Sequence, residues 1–260
     1  MNPTISVIMP TRGRPDYVRR AVASVIGQSF DDFELIILDN TPRPEQDEIR
    51  KLSGTDPRIV FVDRGNIDVT AARKLGAQLS RGKLLALLDS DDYWDRERLE
   101  KHASVWRNNR IGLSWDRWAE VGKRAQEGLP QPFPAGLIGP PKVAVRLFRR
   151  NFIHASSGIV STSFARAQGF PFEKMISSDW TLFMKAAEYY YSYFIDETLS
   201  FKEVDSPQRI TDTESRDFFS WETTMVKRWS LVNRPRIYAV SYVRRKAQKR
   251  LRVSLKRQSN

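Results

Sequence analysis

The chain has no cysteine and only two histidines, His102 and His154. Disulfides, thiolate zinc sites, cysteine nucleophiles and a polyhistidine metal centre are thereby excluded. No apolar run approaches the ~20 residues that cross a bilayer. The amino terminus, Met1-Asn2-Pro3-Thr4, lacks the basic and apolar regions of a signal peptide and leads straight into a strand. A cytoplasmic protein is the expectation. Neither a G-x-G-x-x-G loop nor a G-x-x-x-x-G-K-[ST] loop is present, so dinucleotide and P-loop chemistry are not signalled. Acidic residues are missing from one region only. The net charge is +12, yet residues 1–222 are balanced, while residues 223–260 hold 12 Lys/Arg and no Asp or Glu. The body is an ordinary neutral domain and the tail is a separate matter.

What is there, up to residue 115, is alternation of strand and helix signals, which argues for βαβ units and an α/β fold with a Rossmann-like, mostly parallel sheet flanked by helices. Strands are expected at 5–9, ended by Pro10, and at 33–38, 58–62 and 84–88. Helices are expected at 15–26, 44–52 and 69–79, the last stopped by Gly82 as a C-cap. Polar residues gather where the strands end, at Thr11-Arg12, Asp39-Asn40 and Asp89-Ser90-Asp91, and that rim is where open α/β sheets bind ligands.

The run Leu84-Leu85-Ala86-Leu87-Leu88 reads as a strand buried on both faces. It passes directly into Asp89-Ser90-Asp91-Asp92. On extended backbone Asp89 and Asp91 point the same way, and two hard oxygen ligands at the carboxyl end of a parallel strand suit Mg²⁺ or Mn²⁺. A solvated acidic turn capping the helix from Asp95 is an equal reading of the motif alone.

Beyond Trp94 the pattern loosens. A charged helix is expected at 95–107, strands at 111–115, 152–162 and 191–201, a loop at 121–142 and a helix from Ser177 to Tyr190. Asp179 opens that last helix, where a capping role competes with catalysis. His154 reads as a structural histidine near the acceptor side. Among Trp115, Trp118 and Trp180, core packing is expected for at least two and sugar stacking for the remainder. From Ser215 the chain reads helical. In residues 236–257, Val240, Val243, Ala247, Leu251 and Leu255 recur at 3–4 spacing, with Arg244, Arg245, Lys249, Arg250, Arg252 and Lys256 largely elsewhere. Such a basic amphipathic helix suits an anionic membrane surface. A packing or solvated helix is an equal reading, and nucleic acid is a poorer partner because no binding module accompanies it.

Several motifs then fall into one order: Ser6-Val7-Ile8-Met9-Pro10-Thr11, Ala23-Ser24-Val25-Ile26-Gly27-Gln28-Ser29-Phe30, Asp32-Phe33-Glu34-Leu35-Ile36-Ile37-Leu38-Asp39, Ala72-Arg73-Lys74-Leu75-Gly76, Leu88-Asp89-Ser90-Asp91-Asp92-Tyr93 and Ser178-Asp179-Trp180-Thr181-Leu182. Together they resemble glycosyltransferase family 2, with its GT-A fold, over residues 4–200. The resemblance implies an inverting transfer of a sugar from a nucleotide-diphospho-sugar to a hydroxyl acceptor, assisted by Mn²⁺ or Mg²⁺, in cell-surface polysaccharide or lipid-linked glycan assembly. It implies a transferase domain at 1–215, with a donor half (1–92) and an acceptor half (93–215), followed by a basic helical extension at 216–260. It places Asp91, with Asp89, on the metal, and Asp179 as the general base. Pro10, Thr11, Arg12, Asp39, Asn40, Arg73, Asp89 and Ser90 fall on the donor nucleotide. Three positions depart from the family pattern: Asn40 where a second Asp is usual, Arg12-Gly13-Arg14 after the first strand, and Ser178 where a Glu often stands. A nucleotidylyltransferase and a non-catalytic scaffold of the same fold are the alternatives.

Overall fold

A computed structural model describes residues 2–42, 45–65, 67–126, 130–168, 170 and 177–207. The basic tail, with every residue proposed for a membrane surface, lies outside the described residues.

The elements run β1 (Ile5–Thr11), α1 (Pro15–Ile26), β2 (Phe33–Asp39), α2 (Glu45–Ser53), β3 (Ile59–Asp63), α3 (Val69–Leu79), β4 (Leu84–Leu87), β5 (Tyr93–Trp94), α4 (Arg98–Val105), β6 (Ile111–Val121), β7 (Gly136–Ile138), α5 (Lys142–Arg149), β8 (Gly158–Ser161), α6 (Thr162–Gln168), α7 (Ser178–Tyr189) and β9 (Tyr191–Glu203). One sheet joins the strands in the order β3-β2-β1-β4-β8-β6-β9-β5, with β7 also on β9. The β3-β2-β1-β4 half is parallel. Past β4 the sheet is mixed: β8 is antiparallel to both β4 and β6, whereas β6 and β9 are parallel.

Side-chain alternation explains the unbroken apolar strands. Val7, Met9, Leu35, Ile37, Leu84, Ala86 and Leu88 enter one core with Val18, Val22 and Val25 of α1 and Leu99 of α4. Ile8, Ile36, Leu38, Leu85 and Leu87 enter the other, with Ala72 of α3 and Leu182, Phe183 and Ala186 of α7. Each strand is thus covered on both faces, as parallel sheets require. From β1 the chain crosses on the α1 face to β2, and later on the α3 face to β4, on β1's other side. The strand order therefore reverses between β1 and β4, and a crevice at such a switch point is where these sheets bind ligands.

Several boundaries differ from the sequence expectation for local reasons. β1 continues through Pro10 to Thr11. Ile8 turns its carbonyl to Leu88 N–H at 3.0 Å, so Pro10, two residues on, faces the same side, beyond the end of β4, and its missing N–H interrupts no ladder. The C-cap of α3 is Ser80 rather than Gly82. Gly82 instead abuts β1, where a Cβ would lie 2.6 Å from Ser6 N. The expected strand at 152–162 forms only at 158–161, because residues 155–157 make a 3₁₀ turn. The 121–142 loop contains β7. Among the described residues no helix is long and apolar enough to cross a membrane.

Candidate active site

The rim of the crevice is built by the ends of β1, β2 and β4. At the end of β4 the backbone leaves the extended conformation: Asp92 N–H closes a turn onto the Asp89 carbonyl at 3.0 Å. This corrects the expectation that Asp89 and Asp91 share one face of a strand. The turn sends its three carboxylates to different partners.

Asp92 is buried and fully engaged. Its Oδ1 accepts the Glu203 N–H at 3.0 Å; its Oδ2 accepts Ser156 Oγ–H at 2.6 Å and lies 2.5 Å from His154 Nε2. Ser156 Oγ also accepts the Asp89 N–H at 3.0 Å, so one hydroxyl ties both ends of the turn. Burial raises the Asp92 carboxyl above its ordinary range, against the pull of His154. Burial works to depress His154, but Asp92 and Asp89 overcome it and hold the imidazole above its ordinary value. Asp89, Asp92 and His154 offer ligand atoms all within 4.8 Å of one another. Carboxylate oxygens with an imidazole nitrogen are a donor set that suits Mn²⁺ better than the all-oxygen preference of Mg²⁺. Asp91, the expected principal ligand, stands outside that trio. Its Oδ2 accepts Arg14 Nη1 at 2.9 Å and Ser206 Oγ at 2.5 Å, and its carbonyl accepts Arg20 Nη2 at 2.7 Å. Ser90 Oγ accepts Arg14 Nη2 at 3.3 Å.

Arg73 joins this turn to α7. The side chain is 4% exposed. It donates from Nη2 to Asp89 Oδ1 at 2.9 Å, and from Nη1 to Asp179 Oδ1 at 3.2 Å and Ser178 Oγ at 3.0 Å. Burial would raise the Asp89 carboxyl, but Arg73, with His154 and Arg14, holds it below the usual range. At Asp179 burial prevails over Arg73, assisted by repulsion from Asp89, and the carboxyl rises. Ser177 is the N-cap of α7 yet makes no side-chain capping bond, whereas Asp179, in the first turn, receives its own backbone N–H, so a role at the helix end and the pairing with Arg73 coexist there.

At the ends of β1 and β2, Asp39 is fully buried and accepts Thr41 Oγ1 at 2.5 Å. Burial raises its carboxyl although Thr41 opposes. Its second oxygen, Oδ2, is buried as well. Asn40 gives its Nδ2 to the Ile67 carbonyl at 2.7 Å, which leaves Oδ1 as its acceptor. Thr11 Oγ1 is buried without a hydrogen-bond partner among the described residues. Pro10 lies half-buried beside it. Arg12 is exposed, and among the described residues its side chain has no partner.

The structure therefore brings Asp89, Ser90, Asp91, Arg73 and Asp179 together and leaves Arg12 apart. Arg14, Asp92, Ser156 and Ser206 were not singled out as site residues from the sequence. Asp92 could have been found as the third acid of its motif, whereas Ser156 and Ser206 carry no local signal. Trp115 and Trp180 are core residues. Trp118 faces the site, its ring 5.5 Å from that of His154.

A family model described as glycosyl transferase family 2 matches residues 6–161. An uncharacterized glycosyltransferase of Methanocaldococcus jannaschii is 34% identical over 120 residues, 44% of this chain and 41% of that protein. TuaG of Bacillus subtilis, a glycosyltransferase assigned by name alone to teichuronic acid biosynthesis, is 30% identical over 131 residues, 49% of this chain and 50% of that one. The chain thus spans half or less of the length of these relatives. Among solved structures, residues 1–349 of TarS from S. aureus, in complex with UDP-GlcNAc, superpose with a TM-score of 0.66 at 17% identity, covering 84% of this chain and 64% of that one. The mannosyltransferase PcManGT of Pyrobaculum calidifontis, with GDP-Man and Mn²⁺, gives 0.62 at 14% identity over 93% of this chain and 70% of that one. These likenesses fix the fold as GT-A. With its sequence motifs, sheet order and site at the β1/β4 switch point, the chain belongs to glycosyl transferase family 2.

Proposed function

We propose that this protein transfers a sugar from a nucleotide-diphospho-sugar to a hydroxyl acceptor with inversion. Residues 1–92 would form the donor half, 93–215 the acceptor half, and 216–260 a separate basic extension. The observation that carries the reading is Arg73, which pairs at once with Asp89 of the β4 turn and with Asp179 of α7. It couples the place where a leaving group would be held to the place where an acceptor would lose its proton.

Asp179 takes the proton from the acceptor hydroxyl as oxygen attacks the anomeric carbon. Its raised carboxyl suits that task, since a stronger base is needed than an ordinary exposed Asp provides. A single displacement inverts the centre, and one carboxylate suffices. Asp89, Asp92 and His154 would hold a divalent cation, which Asp91 would join once parted from Arg14; when bound, such a cation supplies Lewis-acid neutralisation of the departing diphosphate. Arg14 adds positive charge on that side. Asn40 Oδ1 accepts an imino N–H of the base. Trp118, beside His154, would border the acceptor. Assembly of a cell-surface or lipid-linked glycan agrees with the name of TuaG and with the expected basic tail.

The test is calorimetric titration of UDP, dTDP, GDP and CDP with and without Mn²⁺, followed by transfer assays. Metal-dependent binding of a nucleotide that Asp91→Asn abolishes, with transfer lost but binding kept in Asp179→Asn, supports the reading. Full transfer by Asp179→Asn refutes the base. No nucleotide binding at all points to a non-catalytic scaffold.

A further inference from the structure

Arg14 is the one non-glycine residue with positive φ among those described, at φ 62°, ψ 54°. The left-handed region is disfavoured for any residue with a Cβ, and such outliers persist where surrounding contacts over-determine them. Gly13 before it is also left-handed, at φ 67°, and Pro15 after it opens α1. This paired turn places the Arg14 guanidinium across the crevice on the β4 turn, 77 residues away, while Arg12 stays in solvent. The Arg14–Asp91 pair is mostly shielded, at 16% and 14% side-chain exposure. Ser206 shares the same Asp91 oxygen.

Charge decides what this contact does. Asp89, Asp91, Asp92 and Asp179 crowd one site. Arg73 answers Asp89 and Asp179, and Arg14 answers Asp91. A dication arriving alone meets an Asp91 whose charge is already compensated, with a guanidinium beside it to repel it. A diphosphate arriving alone meets the carboxylates. Together they match the site, because the cation can replace Arg14 as partner of Asp91. The released guanidinium is then a planar fork suited to two phosphate oxygens.

We propose that Arg14 is a resident countercharge of Asp91 that moves onto the donor diphosphate when the divalent cation enters, which makes cation and nucleotide bind cooperatively. The proposal rests on the transferase reading above. By linkage, the factor by which cation favours nucleotide equals the factor by which nucleotide favours cation.

The experiment is calorimetry on the full chain with Mn²⁺ alone, and with UDP or GDP in the absence and presence of saturating Mn²⁺. The proteins are wild type, Arg14→Ala and Arg14→Lys. In Arg14→Ala, Mn²⁺ alone should bind about tenfold tighter, ~1.4 kcal/mol. The nucleotide with Mn²⁺ should bind at least tenfold weaker, so the two affinities move in opposite directions. Arg14→Lys keeps a charge but not the fork, and should weaken the nucleotide without weakening Mn²⁺. If Arg14→Ala does not fold, Arg14→Lys carries the test alone. Joint weakening of Mn²⁺ and nucleotide in either variant would make Arg14 a clamp on the turn and overturn the proposal, as would unchanged nucleotide affinity. Wild type that binds no nucleotide with Mn²⁺ defeats the transferase reading and this proposal together. Wild type that binds while the variants shift in parallel defeats the exchange alone.

Discussion

Replacing Arg73 with Met tests the coupling between the β4 turn and α7 most directly. The side chain is 4% exposed and neutralises two carboxylates, Asp89 at 2.9 Å and Asp179 at 3.2 Å. Met keeps most of the volume and removes the charge. Breaking a buried ion pair by deleting one partner costs about 3–5 kcal/mol, which in a domain of this size lowers Tm by roughly 6–20 °C. The second consequence is electrostatic. Burial already raises the Asp179 carboxyl, and Arg73 is the chief influence holding it down. An adjacent Arg stabilises the ionised carboxylate, so its loss should raise Asp179 further. The base works only when ionised, and the acid limb of the kcat/KM profile should therefore move to higher pH. The assay is transfer, or slow donor hydrolysis with water in the acceptor's place, followed against pH alongside thermal denaturation. Arg73→Met/Asp89→Asn should recover part of the lost Tm, because the uncompensated charge is reduced. A lower Tm with an unmoved acid limb would refute the reasoning: Arg73 would then serve the fold only, and Asp179 would not be the titrating base.

Two further predictions concern acid stability and the donor base. His102 is completely buried, with Nε2 2.9 Å from Asp116 and Nδ1 2.7 Å from Ser114 Oγ. Ser114 Oγ itself accepts the Trp106 indole N–H at 2.7 Å, so its own proton goes to Nδ1 and the imidazole is neutral with Nε2 protonated. Burial, and then Arg98, push His102 down to about 4 despite Asp116. Between its unfolded value near 6.5 and this lower one, only the unfolded chain takes up the proton, so stability falls as pH drops through that window, by about 3 kcal/mol in all. Urea denaturation from pH 7 to 4 should show this slope, and His102→Gln should flatten it; an equal slope in the variant would exclude His102 as its source. For the donor, Asn40 Oδ1 can accept the imino N–H of uracil, thymine or guanine, whereas cytosine lacks that proton. CDP should bind weakest of the four diphosphates, and Asn40→Ala should cost the others about 0.5–1.5 kcal/mol while leaving CDP unchanged. Calorimetry with CDP equal to UDP or GDP would remove Asn40 from base recognition.

Much of the donor half was legible because its signals are local. Continuous apolar runs such as Leu35–Leu38 and Leu84–Leu88 can be buried only by cover on both faces, and the 3.6-residue spacing of Val18, Val22 and Val25 supplies one of those covers. The acceptor half was less legible. β6 runs to Val121, well past Trp115, because β9 pairs along it. The apolar segment before β8 yields its regular structure to the 3₁₀ turn that carries Ser156 toward Asp92.

The sequence by itself determined the parallel β-α alternation, the acidic turn at the end of β4, and Asp179 at the start of α7, since each depends on neighbours a few residues away. Tertiary structure alone decided which groups meet. It sets Arg14 rather than Arg12 in the site, because a left-handed backbone at Gly13-Arg14 reverses the direction of the side chains. It gives Asp92 rather than Asp91 to His154 and Ser156, because a turn replaces the extended strand and spreads the three carboxylates. It joins Arg73 to Asp179 across 106 residues. Spacing along a chain fixes the direction of a side chain within its own element, but the partner it finds depends on how the sheet orders its strands.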